Sequence, residues 1–303
     1  MLDRIVVREQ FGGGDNAQAL YASVIDGHGS ATNNVVDLVA DKLHRVVAVE
    51  WSAARVASAS AQRNASLEAT SAQRAFDAAC NSVAQLVRAD ARARTSGAVA
   101  VIGVLQPTPS LCDDNAAAAG VAFASLLTAH VGDCAVVVSR RVVAANERDA
   151  YSATRLGGEH RASNEAERAR IEAAGGRVRA GRIGGMLEPS RAFGDAKFPA
   201  HILIATPEVT ALPLDASIDA LVFASDGLWD FVTPHAAMAI ARDRAMTAHA
   251  AAKQIVRVSG IKNVCRVSCQ IDPFNYKKRF YYCCFVFCIC FCFCFCVCAP
   301  VGA

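Results

Sequence analysis

Residues 219–232 read DALVFASDGLWDFV, an apolar run that stops at Asp226-Gly227. Leu, Val and Phe in an unbroken run bounded by turn residues predict a strand, and the aspartate-glycine pair marks its end. The same punctuation occurs twice upstream: ALYASVID (19–26) runs into Asp26-Gly27, and GVAFASLLTAHV (120–131) runs into Gly132-Asp133. Three strands therefore finish in a carboxylate beside a glycine. Strand ends are where a sheet gathers residues from distant parts of a chain, and glycine lets backbone approach a ligand closely.

Outward from these strands, the long alanine-rich stretch from Ser30 to Ala93 has a different period. Val35, Val36, Leu38, Val39, Leu43, Val46 and Val47, then Phe76, Cys80, Val83 and Val87, recur at helical spacing. Two long helices are predicted, each with an apolar stripe that needs a sheet to cover. Valine-rich runs at AVAVIGVL (98–105), CAVVVS (134–139) and RVVAA (141–145) predict further strands, with DDNAAAAG (113–120) as a loop. NEAERARIEAA (164–174) reads as a charged helix closed by Gly175-Gly176, and helical patterning resumes from Pro234 to Val258. That order predicts an α+β domain with helices on the faces of antiparallel sheets.

Composition sets the outer bounds. A chain of 303 residues, 53% hydrophobic and 19% charged, is not a disordered one. The net charge of +3, from 31 basic and 28 acidic residues, gives no reason to expect nucleic acid as a partner. The opening MLDRIVVREQFGGGD has no apolar signal segment. A cytoplasmic protein with reduced thiols is expected.

Clustered carboxylates are the ligand set of hard divalent cations. Taken singly, each Asp-Gly pair is also an ordinary turn. His28 follows Asp26 in Asp-Gly-His-Gly. It reads either as an exposed loop histidine or as a general acid, its unperturbed pKa being about 6.5.

Order gives these pieces their meaning. VIDGHGS (24–30), HVGDCAVV (130–137), GEHRASNEAERARIEAAGGRV (158–178), GRIGGMLEPSRAFGD (181–195), TPEV (206–209) and VFASDGLWDFV (222–232) follow one another along the chain. In that sequence they resemble the metal-dependent serine/threonine protein phosphatases of the PPM type (type 2C), over residues 1–258. The resemblance implies a four-layer α-β-β-α sandwich with two central antiparallel sheets. It implies two Mn²⁺ or Mg²⁺ ions at one end of the sheets, with a third, weaker site. Asp26 matches the bridging ligand, Gly27 a carbonyl ligand of the second ion, Asp226 a ligand of the first, and Asp133 the third site. His28 matches the proposed general acid, phosphoproteins are the implied substrates, and a metal-bridging water is the implied attacking group. A monomer is expected, Arg191 is expected to hold structure, and Trp229 is expected to lie in the core.

Three departures from the family pattern stand beside the resemblance. Met1-Leu2-Asp3 aligns with a Met-Glu-Asp triplet, so Leu2 replaces a metal-binding Glu and Asp3 is left as the neighbour of the site. The phosphate-binding Arg upstream of that triplet is absent, so no substrate-binding residue is assigned. After Asp230 the remaining aspartates are Asp243 and Asp272, and neither opens the family's closing Asp-Asn strand. The domain is expected to lack edge strands at both ends, leaving an unpaired edge. A catalytically impaired pseudophosphatase that binds phosphoproteins or partners is the alternative function.

Residues 259–279 read as an irregular linker. Phe280–Ala299 is uncharged, follows Lys277-Lys278-Arg279, and holds eight of the 13 cysteines. About 20 apolar residues suffice for a membrane anchor. The alternation of cysteine with Phe, Ile or Val over 287–298 favours instead a translated repetitive tract, a read-through or frameshifted end.

Overall fold

Two antiparallel sheets lie face to face between two pairs of helices in the computed structural model, which describes residues 3–12, 19–30, 32–58, 65–107, 123–142, 150–243, 245–259, 281–283 and 286–290. The chain opens with β1 (Arg4–Phe11), β2 (Ala19–Gly29), α1 (Thr32–Ser58) and α2 (Ala65–Arg88). It continues through β3 (Ser96–Pro107), β4 (Phe123–Val131), β5 (Ala135–Arg141), β6 (Tyr151–Leu156) and α3 (Glu165–Ala173). Short strands β7 (Val178–Arg179), β8 (Arg182–Ile183) and β9 (Phe193–Gly194) precede β10 (Glu208–Pro213) and β11 (Ile218–Ala224). Helices α4 (Asp226–Trp229), α5 (Pro234–Ala241) and α6 (Ala248–Val258) follow, then β12 (Tyr281–Cys283) and β13 (Val286–Cys290). The first sheet runs β1-β2-β3-β4-β10 with β9 paired to β3, and the second runs β12-β13-β11-β5-β6.

Side-chain alternation builds the layers. In β3, Ala98, Ala100, Ile102 and Val104 pack against α1 and α2, while Val99, Val101 and Leu105 face the second sheet. In β11, Leu221 and Phe223 point between the sheets, and Ala220, Val222 and Ala224 meet α5 and α6. Both faces are buried, which is why these strands read as continuous apolar runs. Gly103 leaves the space that the Phe223 ring fills; a methyl group there would come within 2.5 Å of it. On α1, Val35, Val39, Leu43, Val47 and Trp51 form the stripe that covers the first sheet, as the spacing predicts.

The four-layer α+β sandwich is as the sequence implies, with some differences of detail. β5 ends at Arg141, the first residue of RVVAA, and residues 143–149 lie outside the described residues, as does the loop expected at 113–120. The helical stretch from Pro234 divides into α5 and α6 around Asp243, whose Oδ1 accepts from the Ala245 N–H at 2.9 Å. The helix after Asn164 forms as expected, with the Asn164 side chain capping the Ala166 N–H at 3.0 Å. Among the described residues no helix is long and apolar enough to cross a membrane.

The unpaired edge expected beside β11 is covered. β13 pairs antiparallel with β11, from Ala220 opposite Cys290 to Ala224 opposite Val286, and β12 pairs with β13. Val286, Phe287 and Ile289 supply β-branched and aromatic residues without a charge between them, which suits a strand laid on a buried neighbour. The rest of Phe280–Ala299 lies outside the described residues.

Deleting residues 260–303 should therefore expose the backbone edge of β11. At about 1 kcal/mol per ladder hydrogen bond, the expected loss is about 2 kcal/mol or more, with faster aggregation. Thermal unfolding with light scattering measures both, and unchanged curves would mean that β13 adds nothing to the sheet.

Candidate active site

Asp26 and His28 stand near the end of β2, Asp133 in the turn from β4 to β5, and Asp226 at the first residue of α4, just past β11. Both sheets deliver these ends to one rim. There a cavity of about 350 Å³ is lined by Asp26, Gly27, His28, Asp133 and Asp226 together with Arg182, Lys197 and Asp195. The residues singled out in the sequence are thus brought together from positions 200 apart. Asp3, just ahead of β1, joins them: it shares a side-chain hydrogen bond with Asp26 and accepts from Ser225 Oγ at 2.9 Å. Leu2 lies outside the described residues, and Asp243 sits in the α5–α6 turn.

The carboxylates are crowded and dry. Burial, then the charges of Asp3 and Asp226, push the Asp26 carboxyl far above the ordinary aspartate range. Burial also raises Asp3 to about 6, with hydrogen bonds from Asp26 and Ser225 opposing it. Asp133 is pushed up to about 6 by burial and by Asp226, with Arg161 acting in the other direction. Asp3 Oδ1 is buried without a hydrogen-bond partner. A pocket of buried carboxylates with an unsatisfied oxygen matches the donor set of a hard divalent cation.

Arg161 supplies part of the counter-charge from the rim. Its guanidinium lies 3.4 Å from Asp133, 2.9 Å from Asp230 and 3.2 Å from Glu188. Behind the rim, Arg191 donates to Glu167 at 2.5 Å and to the Thr206 carbonyl at 2.9 Å, holding structure as expected. Ser190 Oγ and the Arg170 guanidinium both donate to Glu167, at 2.6 and 2.9 Å, so one buried carboxylate ties α3 to the 190–195 segment. Trp229 is half-buried, its indole N–H donating to the Ala224 carbonyl at 3.0 Å.

A second cluster was not legible. His130 on β4, His160 after β6 and Glu208 on β10 place one ligand atom each within 4.8 Å of one another, close enough to coordinate a divalent metal. Their rings stack at 4.4 Å between centroids with 14° between planes. Burial lowers the pKa of both histidines, that of His160 to about 3. All three residues lie inside motifs quoted above, but separations of 30 and 48 residues carry no local signal.

A family model described as "Protein phosphatase 2C" matches residues 1–264. "Probable protein phosphatase 2C 68" of Oryza sativa subsp. japonica is 33% identical over 260 residues, covering 80% of this chain and 64% of that protein. "Probable protein phosphatase 2C 59" of the same plant is 38% identical over 152 residues, 49% of this chain and 43% of that one. The chain spans less than two thirds of the length of these curated relatives. Among solved structures, the serine-threonine phosphatase 2C from Toxoplasma gondii aligns with a TM-score of 0.63 at 19% identity, covering 85% of this chain and 83% of that one. A C. elegans sex determining protein aligns with a TM-score of 0.56 at 21% identity, covering 79% of this chain and 51% of that one. These two likenesses establish the fold.

The Glu167 network gives a pH prediction. Burial alone would raise its pKa, but hydrogen bonds from Arg191, Ser190 and Arg170 outweigh that and hold it at about 2, against an ordinary 4.5. The folded value lies below the unfolded one, so the contribution is fully present above about pH 4.5 and fades as pH falls toward about 2. Glu167→Ala should cost about 3–5 kcal/mol at neutral pH, the scale of breaking a buried ion pair. In urea unfolding, the gap between wild type and Glu167→Gln should narrow from about pH 5 to about pH 3. A gap that stays constant would contradict this account.

Proposed function

The chain belongs to the protein phosphatase 2C family, and on that footing we propose that it is a metal-dependent protein serine/threonine phosphatase acting on phosphoserine and phosphothreonine in other proteins. The observation that carries this reading is the convergence of Asp26, Asp133 and Asp226 at one cavity beside His28, with Asp3 hydrogen-bonded to Asp26. Mutual repulsion among these carboxylates and the unpartnered Asp3 Oδ1 are both relieved by a hard divalent cation.

Mn²⁺ or Mg²⁺ fits the all-oxygen donor set, and two ions are proposed, held by Asp26, the Gly27 carbonyl, Asp226 and Asp3, with Asp133 serving a third, weaker site. Such ions, when bound, supply a water of lowered pKa and neutralise phosphoryl charge. The remaining work falls to the chain's own groups. Lys197 and Arg182 present cations at the cavity wall for the substrate phosphate. Arg182 is braced by Glu188 at 2.5 Å, and Lys197 lies 5.1 Å above the Phe198 ring. His28 stands where it can pass a proton to the departing serine or threonine oxygen. A cytoplasmic setting belongs to the same reading; the described cysteines of the core, Cys80 and Cys134, are buried and free.

A second reading, phosphoprotein binding without turnover, is favoured by Leu2 in place of an acidic ligand. The full chain should hydrolyse a phosphothreonine peptide in Mn²⁺ and stop in EDTA. Asp226→Asn should lower the rate about 100-fold or more, the scale of removing one charge-stabilising group. Peptide binding without phosphate release would favour the second reading, and metal-independent turnover would defeat the first.

A further inference from the structure

We propose that Asp195 is the positioning residue for His28: its carboxylate accepts a hydrogen bond from Nε2–H, fixes the ring at the cavity wall, and leaves Nδ1 as the nitrogen that protonates the leaving oxygen. The inference rests on the phosphatase reading above and adds to it a residue and an atom.

Asp195 Oδ2 and His28 Nε2 are 2.5 Å apart although 167 residues separate them in sequence. The aspartate side chain is 2% exposed and the histidine 28%, so the contact has a buried anchor and an accessible ring. Strand register brings them together. His28 lies opposite Gly97 across β2 and β3, and Gly97 lies opposite Gly194 across β3 and β9. Three neighbouring backbones thus carry the histidine, a glycine gap and the residue before the aspartate.

The gap is required. A methyl group on Gly97 would overlap the Asp195 carboxylate and come within 2.6 Å of His28 Nε2. Asp195 itself sits in the left-handed backbone region, φ +44°, a conformation that L-residues with side chains adopt at a cost. Its N–H donates to the Ser96 carbonyl at 2.9 Å and its carbonyl accepts from the Phe198 N–H at 2.9 Å, which holds that conformation. Gly194, at φ +93°, could carry no side chain, because a Cβ would meet the Ser96 carbonyl at 2.5 Å. Strain of this kind persists where the surroundings over-determine it, and here it aims one carboxylate at one imidazole nitrogen.

The chemistry follows from the two ring nitrogens. A carboxylate accepting from Nε2–H sets the tautomer and orientation of the ring. The imidazolium then donates its Nδ1 proton as the phosphorus–oxygen bond breaks, the bond's electron pair passing to the serine or threonine oxygen. Water adds its hydroxyl to phosphorus, and its second proton restores the ring. The sum is phosphomonoester plus water giving alcohol plus inorganic phosphate.

The experiment compares the full chain with Asp195→Asn, His28→Gln and the double variant in Mn²⁺ on two esters. A phosphothreonine peptide needs its leaving oxygen protonated; p-nitrophenyl phosphate releases a stabilised phenolate that does not. Asp195→Asn should lower kcat on the peptide about 10- to 100-fold and on the aryl ester less than about 3-fold. The double variant should be no worse on the peptide than His28→Gln alone. Equal losses on both esters, or losses that multiply, would overturn the proposal. Nitrogen NMR of the His28 ring decides it without turnover: wild type should hold Nε2 protonated, and Asp195→Asn should show mixed tautomers. The same ring signals in both proteins would overturn it. A wild-type chain with the expected signals and no phosphatase activity would instead refute the phosphatase reading alone.

Discussion

Every central strand of this protein is buried on both faces. Ile102 and Val104 are sealed by helices on one side, Val101 and Leu105 by the opposing sheet on the other. A polar side chain placed mid-strand would have to find its partners inside that packing or lose its hydration. The ends of strands are where the chain can change from apolar to acidic within one or two residues, so chemistry gathers there. Ile25 is fully buried within the apolar layers, and Asp26, the next residue, lines the cavity. Val131 and Asp133 repeat the step, as do Ala224 and Asp226. The sandwich does more than support the site: it confines ionisable groups to one rim and brings three strand ends to it.

Crowding carboxylates at that rim is costly unless charge is supplied. Asp26, Asp3 and Asp133 all sit above the ordinary aspartate range because burial disfavours their charged forms and Asp226 adds repulsion. The chain's own cations answer this only at the margin. Arg161 approaches Asp133 but also serves Asp230 and Glu188, and Arg191 and Arg170 are spent on Glu167. The contrast between the two buried networks is informative. Around Glu167 the acid is satisfied by donors and its pKa is depressed, the signature of structure. Around Asp26 the acids face one another and their pKa values rise, a repulsion that the proposed cations would relieve.

Strand positions and the two long helices were legible because their periods are strong: unbroken apolar runs for strands buried on both faces, and three- to four-residue spacing for α1 and α2. β1 was not, since RIVVREQF is polar at Arg8, Glu9 and Gln10, and Gln10 leaves the strand conformation at φ +52°. β6 alternates too weakly, with every residue half-buried or exposed. The β11–β13 pairing was hidden by the composition of Phe280–Ala299, whose hydropathy points to a bilayer while its described part lies in the sheet. In the site, Asp26, Asp133 and Asp226 were marked by the glycines beside them, and His28 by its place in Asp-Gly-His-Gly. Asp195 lay in a quoted motif, but its role depends on β9 meeting β3, a two-residue pairing that no local pattern encodes.

The two metal-capable clusters differ in what they can hold. Asp3, Asp26 and Asp226 offer only oxygen, which suits hard ions that keep much of their hydration. His130, His160 and Glu208 offer nitrogen as well, which suits softer borderline ions. Yet an imidazole binds a metal in the plane of its ring, and the planes of His130 and His160 are only 14° from parallel in a stack. His130 Nε2 also lies 2.8 Å from the Gly158 carbonyl, and the Gly132 N–H donates to His160 Nδ1 at 3.3 Å. An ion could be taken there only by turning one ring out of the stack and giving up a buried hydrogen bond, at about 1–3 kcal/mol for the group left unsatisfied. The carboxylates need no such rearrangement, because neutralising them relieves a repulsion already present. On the proposed function a hard ion would therefore be taken at the cavity beside His28, while the histidine pair joins β4, β10 and the loop that follows β6.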